Sequence, residues 1–107
     1  MQRCAQLIGI KAGRIAEYER RHAAVWPEVL ATIRACNIRN YSIFRHNTTL
    51  FAYFEYVGHD FDGDMARMAA DPKTQEWWAI CKPMQQPLAT NQADEWWTSI
   101  GEVFHTE

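Results

Sequence analysis

A chain of 107 residues, 48% of them hydrophobic and 22% charged, closes one core as a single domain over residues 1–107. It is too small to enclose a large cofactor alone, so its site is small or is shared between subunits. A formal net charge of −2 without any basic run removes the electrostatic case for nucleic acid or an anionic membrane as partner. The first residues, MQRCAQLIGIKAGR, are too short and interrupted in their apolar character for a signal peptide. No run approaches the roughly 20 apolar residues of a membrane span, and Cys4, Cys36 and Cys81, odd in number and set in apolar contexts, read as free buried thiols of a cytoplasmic protein.

Residues 2–10, QRCAQLIGI, alternate loosely and predict a first strand that hands over at Lys11-Ala12-Gly13. From Ile15 the pattern is helical: Ile15, Tyr18, His22 and Val25 share one face, with Glu17, Glu19, Arg20 and Arg21 on the other sides. Pro27 lacks a backbone donor and restricts Trp26, so the helix kinks there or restarts with Pro27 at its first position, continuing through EVLATIRAC to a cap near Asn37. NIRNYSIFRH and TLFAYFEYV, parted by His46-Asn47-Thr48, predict an antiparallel hairpin. HDFDGDMARMAADP carries acids at the start of a short helix, where the helix dipole favours them, and Asp71-Pro72 caps and opens the next helix, KTQEWWAICKPM. QQPLATNQAD reads as a loop, and EWWTSIGEVFHT as a last strand.

This order is that of a ferredoxin-like α+β fold, an antiparallel sheet with helices on one face. Its other face, rich in aromatic side chains, calls for a second subunit, and the expected assembly is a homodimer built as an α+β barrel.

The residues that carry chemistry are few. His22 lies on the apolar stripe of its helix, where an imidazole is either a core histidine bonded to backbone or a group put there to act. Tyr18, four residues earlier, projects beside it and reaches the same molecule if one is bound. Adjacent helical positions are about 100° apart, which places Trp77 with Cys81 and Met84 in the core and leaves Trp78 at its edge. One or both indoles are simple core or line a cavity, where their faces suit the C–H face of a sugar. Tyr41 shares a strand face with Ile43, its hydroxyl satisfied locally or aimed into a pocket. DFDGDM lacks the glycine that a calcium loop beginning at Asp60 needs at position 65, and the four histidines form no close ligand pair, so no metal is expected. A glycine-rich phosphate loop and a local nucleophile signature are also missing from the sequence.

Taken together, YERRHAAVWPEV, IRNYSIF, LFAYFEY, DPKTQEWW and EVFH resemble the L-rhamnose mutarotase family over nearly the whole chain. The ordered combination Y-x-x-x-H-x-x-x-W-P-E, N-Y-x-I, W-W and E-V-F is far more specific than any one part. The resemblance implies a dimeric ferredoxin-like fold and an enzyme that interconverts the α and β anomers of a 6-deoxy-L-sugar without a cofactor. It also implies His22 as proton donor and Tyr18, Tyr41, Trp77 and Trp78 as substrate contacts. The chain departs from the family's best-known members at its end, where EVFHTE places His105 in the position of a tyrosine, and in its short hairpin turn; L-fucose stands beside L-rhamnose as expected substrate. Two other readings share these residues: a cofactor-independent oxygenase of the same dimeric fold and a non-catalytic sugar-binding module.

Overall fold

Alternating apolar residues on a chain with several helix breaks give an antiparallel sheet covered on one side, and the computed structural model, which describes residues 1–92 and 94–107, has that form. Strand β1 (Gln2–Ile10) leads through a 3-10 turn into helix α1 (Ile15–His22) and helix α2 (Pro27–Ala35). The hairpin of β2 (Ile38–His46) and β3 (Thr49–Tyr56) follows, then α3 (Phe61–Ala70), α4 (Pro72–Cys81) and the short strands β4 (Gln85–Gln86) and β5 (Thr98–Ile100). Strands run in the order β2-β3-β1-β4, and β5 pairs with β1 on the same edge as β4, all antiparallel.

The sequence signals place the helix ends. Trp26 takes an extended conformation and Pro27 opens α2, while Asn37, at φ 67°, ends the passage from α2 into β2. The Asp60 carboxylate accepts from the Gly63 N–H at the start of α3, and that of Asp71 accepts from the Thr74 N–H at the start of α4, where Pro72 is the first helical residue. In the hairpin His46 pairs with Thr49, so the turn is only Asn47-Thr48, with Asn47 at φ 52°.

Burial follows the pleat. Leu50, Ala52, Phe54 and Tyr56 of β3 are buried, and the residues between them are not. The core forms two clusters. One gathers Ile8, Ile10, Tyr18, Val29, Leu50 and Trp77 with Cys81 and Met84; the other gathers Cys36, Ile38, Phe54, Tyr56 and Met68, and Trp78 packs on both. The second cluster is tied to α3 by polar groups: the Tyr56 hydroxyl and the Asn37 amide both donate to the Asp64 carboxylate. In β2 the pairing slips between Arg39 and Ser42, with Asn40 at φ 50°. This bulge brings Ile38 and Tyr41, three positions apart, onto the same inner face.

The sheet edge differs from the sequence expectation. The segment read as a continuous last strand pairs only over Thr98–Ile100, and residues 101–107 are exposed without regular structure. Gln85–Gln86, read as loop, is a strand, and Pro87, which has no N–H to give the ladder, ends it. Ala93 of that stretch lies outside the described residues.

The β1–β4 contact leaves no room for a side chain at residue 9, because a Cβ there would stand 2.6 Å from the Gln86 carbonyl oxygen. Gly9→Ala is therefore expected to lower stability by about 1–3 kcal/mol, the usual cost of overpacking. Urea denaturation measures it, and an unchanged midpoint would show that β4 gives way freely.

Candidate active site

Between the concave sheet face and the helices lies a cavity of about 350 Å³, at the seam of the two core clusters. That volume suits a small ligand. Its walls include all five residues singled out from the sequence: Tyr18, His22, Tyr41, Trp77 and Trp78.

His22 closes α1. Its Nδ1 lies 2.8 Å from the Tyr18 carbonyl oxygen, so Nδ1 carries a proton and donates it to backbone. The imidazole is stacked on the Tyr18 ring, with centroids 4.0 Å apart, and makes a T-shaped contact with Trp77 at 5.3 Å. Trp26 in turn packs edge-on against Trp77 at 5.2 Å. One ring nitrogen is thus bonded to backbone, and the other, Nε2, has no protein partner among the described residues and is left to the cavity. Burial holds the imidazole below its ordinary 6.5, and the carbonyl on Nδ1, which favours the charged ring, only partly opposes this. The ring is neutral at pH 7, with its lone pair on Nε2.

Tyr18 is buried, and its hydroxyl sits 3.1 Å from the amide nitrogen of Gln85. Loss of solvent pushes this phenol well above the usual tyrosine range. Tyr41 reaches the cavity from β2 because of the bulge, its ring 5.5 Å from that of Phe54. The residue as a whole is 39% exposed, but its hydroxyl is desolvated, which raises its pKa to about 12, and it has no protein partner among the described residues. A Cys nucleophile does not fit the site: burial lifts the Cys81 thiol to about 11, so it stays protonated and apolar.

The two ends of the cavity differ in character. Tyr18, His22, Gln6 and Gln85 bring polar atoms from α1, β1 and β4, while Ile38, Phe54, Phe61, Met65 and Met68 supply an apolar end from β2, β3 and α3. At the rim the Lys82 ammonium lies 5.5 Å from the Trp78 ring and 5.6 Å from that of Trp96, a cation held by two indole faces.

Gln6, Gln85 and Trp96 are the residues that sequence reading missed. Glutamine carries no pattern of its own, and Trp96 stands in a segment read as an ordinary strand. The one available signal was that Gln85 follows the apolar Cys81 and Met84 at helical spacing, which points it toward the same core.

Comparison with known proteins agrees with this architecture. Residues 3–106 match the sequence model for L-rhamnose mutarotase. An L-rhamnose mutarotase of Opitutus terrae is 35% identical over 110 aligned residues, covering 100% of both chains. An L-fucose mutarotase of Xanthomonas campestris pv. campestris is 36% identical, covering 97% of this chain and 87% of its own. The crystal structure of an L-rhamnose mutarotase from Formosa agariphila superposes with a TM-score of 0.78 at 23% identity, over 100% of each chain. Tetracenomycin F2 cyclase from Streptomyces glaucescens, a type-II polyketide cyclase, superposes with a TM-score of 0.68 at 15% identity, over 100% of this chain and 97% of its own. At such identities the two structures speak for the ferredoxin-like fold alone, and that fold is compatible with more than one activity. The sequence matches run the length of the molecule at identities above 30%, and by them the chain belongs to the L-rhamnose mutarotase family.

Proposed function

We propose that this mutarotase interconverts the α and β anomers of a 6-deoxy-L-hexose, L-rhamnose or L-fucose, in the cavity between sheet and helices, with His22 as the proton carrier. The observation that carries the reading is the bond from His22 Nδ1 to the Tyr18 carbonyl, which leaves Nε2 as the only ring nitrogen able to exchange a proton with a ligand.

Ring opening moves one proton from the anomeric hydroxyl to the ring oxygen while the bond from C1 to the ring oxygen breaks. Neutral His22 takes the anomeric proton on Nε2, the electron pair of that O–H forms the aldehyde C=O, and the pair of the breaking bond goes to the ring oxygen. The imidazolium then gives its proton to that oxygen, the donor step that the family resemblance implies for this residue. Rotation about C1–C2 turns the aldehyde, and the same steps in reverse close the ring on its other face. Protons and electrons balance without metal, nucleotide or covalent intermediate. Tyr18 and Tyr41 offer hydroxyls for orientation, Trp77 and Trp78 offer indole area to the C–H face, and the apolar end built by Phe54, Phe61 and Met65 suits a C6 methyl.

The far side of the sheet supports a homodimer. Phe44 pairs with Phe51 there and is 60% exposed, Ile100 lies opposite Ala5, and Phe104 on the tail is also exposed. A second copy of the chain is the occupant that such a face fits. No helix is long and apolar enough to cross a membrane among the described residues, and the free thiols at Cys4, Cys36 and Cys81 fit a reducing, cytoplasmic setting.

His22→Ala should leave folding intact and slow anomeric exchange by about 10² to 10⁴, the range for a positioned acid or base. NMR saturation transfer between anomeric protons, with 6-deoxy and ordinary hexoses, measures it; exchange at the wild-type rate in a folded His22→Ala protein would overturn the mechanism. Since the His22 pKa is depressed, the neutral ring is favoured by folding. Its contribution to stability is present above the unfolded value of about 6.5 and is lost as pH falls toward the lower folded value. Exchange should fall over that same acidic window, with the midpoint that an NMR titration of His22 gives. Trp78→Ala is expected chiefly to weaken sugar affinity, whereas Trp77→Ala should also destabilise the protein by about 3–5 kcal/mol, and denaturant melts alongside sugar titrations separate the two effects. Sedimentation at micromolar concentration should show a dimer, and a well-folded monomer would count against the second subunit.

A further inference from the structure

The buried amide of Gln85 touches two groups whose hydrogen-bond roles are not symmetrical. Its Oε1 lies 2.7 Å from the indole Nε1 of Trp96 and its Nε2 lies 3.1 Å from the Tyr18 hydroxyl, while the residue itself is only 6% exposed. An indole N–H can only donate, so the amide oxygen must be the atom that faces it. The amide nitrogen, which can only donate, is then the atom that faces Tyr18. The Tyr18 oxygen is thereby made an acceptor on that side, and its own proton has to be given elsewhere. No other protein group among the described residues bonds this hydroxyl, and the direction left open is the cavity that Tyr18 lines.

We infer that Gln85 and Trp96 are positioning residues that set the direction of the Tyr18 hydrogen bond, so that Tyr18 donates into the cavity and holds the sugar ring oxygen as it leaves C1. This deepens the proposed mutarotation and rests on it. Tyr18 and His22, stacked 4.0 Å apart, then present opposite roles side by side: a fixed donor on the phenol and, on the neutral imidazole, a fixed acceptor at Nε2. The reacting end of a cyclic hemiacetal has the complementary pair, a ring oxygen that only accepts and an anomeric hydroxyl that donates. The phenol keeps its proton throughout, and its bond strengthens as charge builds on the ring oxygen. On a residue as deeply buried as Tyr18 such a donor acts more strongly than it would in water.

The test reverses the bond without changing the shape. In Gln85→Glu the introduced carboxylate still accepts from Trp96 but also accepts from Tyr18, drawing the phenol proton away from the sugar. At saturating 6-deoxy-hexose, saturation transfer should show kcat lowered by about 10- to 10²-fold, of the order lost with one oxyanion-type donor, with KM changed less than about threefold. Tyr18→Phe should lose a similar factor, and adding Gln85→Glu to Tyr18→Phe should cost little more, because both act through one hydrogen bond. Trp96→Phe keeps the ring, frees the amide to turn over, and should give a smaller kcat loss that is likewise absent in the Tyr18→Phe background; it carries the test if Gln85→Glu does not fold. Full additivity with Tyr18→Phe, or a wild-type kcat in folded Gln85→Glu, would overturn the positioning role alone. A wild-type kcat in Tyr18→Phe would overturn it together with the place of Tyr18 in the proposed mechanism.

Discussion

A phenol and a carboxamide buried together at the margin of a hydrophobic core have to satisfy each other, and much of this molecule is arranged around that requirement. Leaving either unpaired would cost about 1–3 kcal/mol. Tyr18 comes from α1, Gln85 from the edge strand β4, and Trp96 from the segment before β5, so their two hydrogen bonds join three parts of the chain that share no regular element. The side chain of Gln85 is in place because β4 lies close against β1, and β4 lies close because residue 9 is a glycine. A backbone constraint at one edge of the sheet thus fixes the chemistry of a hydroxyl in the cavity.

The cavity itself follows from the core being divided. The two clusters are bridged by the partly buried Trp78 and Ile33, and the space between them is not filled from the sheet side. A helix with one tryptophan would close onto one cluster only. With two adjacent ones, α4 sends Trp77 into the first cluster and Trp78 across the seam, and so walls the cavity without blocking it. The two neighbouring positions differ accordingly, Trp77 being buried in the first cluster and Trp78 partly buried where both clusters meet. The aromatic series from Trp26 through Trp77 to His22 and Tyr18 carries this rigidity to the imidazole, whose ring is held by a stacked phenol, a T-shaped indole contact and a hydrogen bond at one nitrogen.

The features legible in the sequence were those with a local cause. Pro27, Asp60, Asp71 and Pro72 mark helix starts because capping and missing donors act within one turn, and the period of apolar residues put Tyr18 and His22 on one inward face. The ferredoxin-like order of elements followed from those boundaries. What escaped depends on long-range pairing. Gln85 lies 67 positions from Tyr18, and no spacing rule connects them. The split of the last edge into β4 and β5 is set by which residues meet β1, and the alternation in EWWTSIGEVFHT, which read as one strand, goes unused beyond Ile100, where contact with β1 passes from backbone pairing to the side chains of Arg3 and Glu102. Tyr41 was assigned the correct face through its relation to Ile43. Its relation to Ile38 obeys no simple alternation, since Asn40 takes up the odd residue.

That odd residue makes β2 a strand of two phases. Before Asn40 the inward positions include Ile38, and after it they are Tyr41 and Ile43, so the strand changes parity in the middle while its partner β3 does not. Because Asn40 absorbs the extra residue, deleting it alone would place Tyr41 directly opposite Phe54 and restore simple pairing with Ile38, Tyr41 and Ile43 all still inward. A single insertion or deletion elsewhere in β2 has no such outlet and exchanges the faces on one side of it, sending the Tyr41 phenol out of the cavity or Ile38 out of the core. One asparagine in a left-handed conformation thus marks the place where this strand can change length by one residue without turning over.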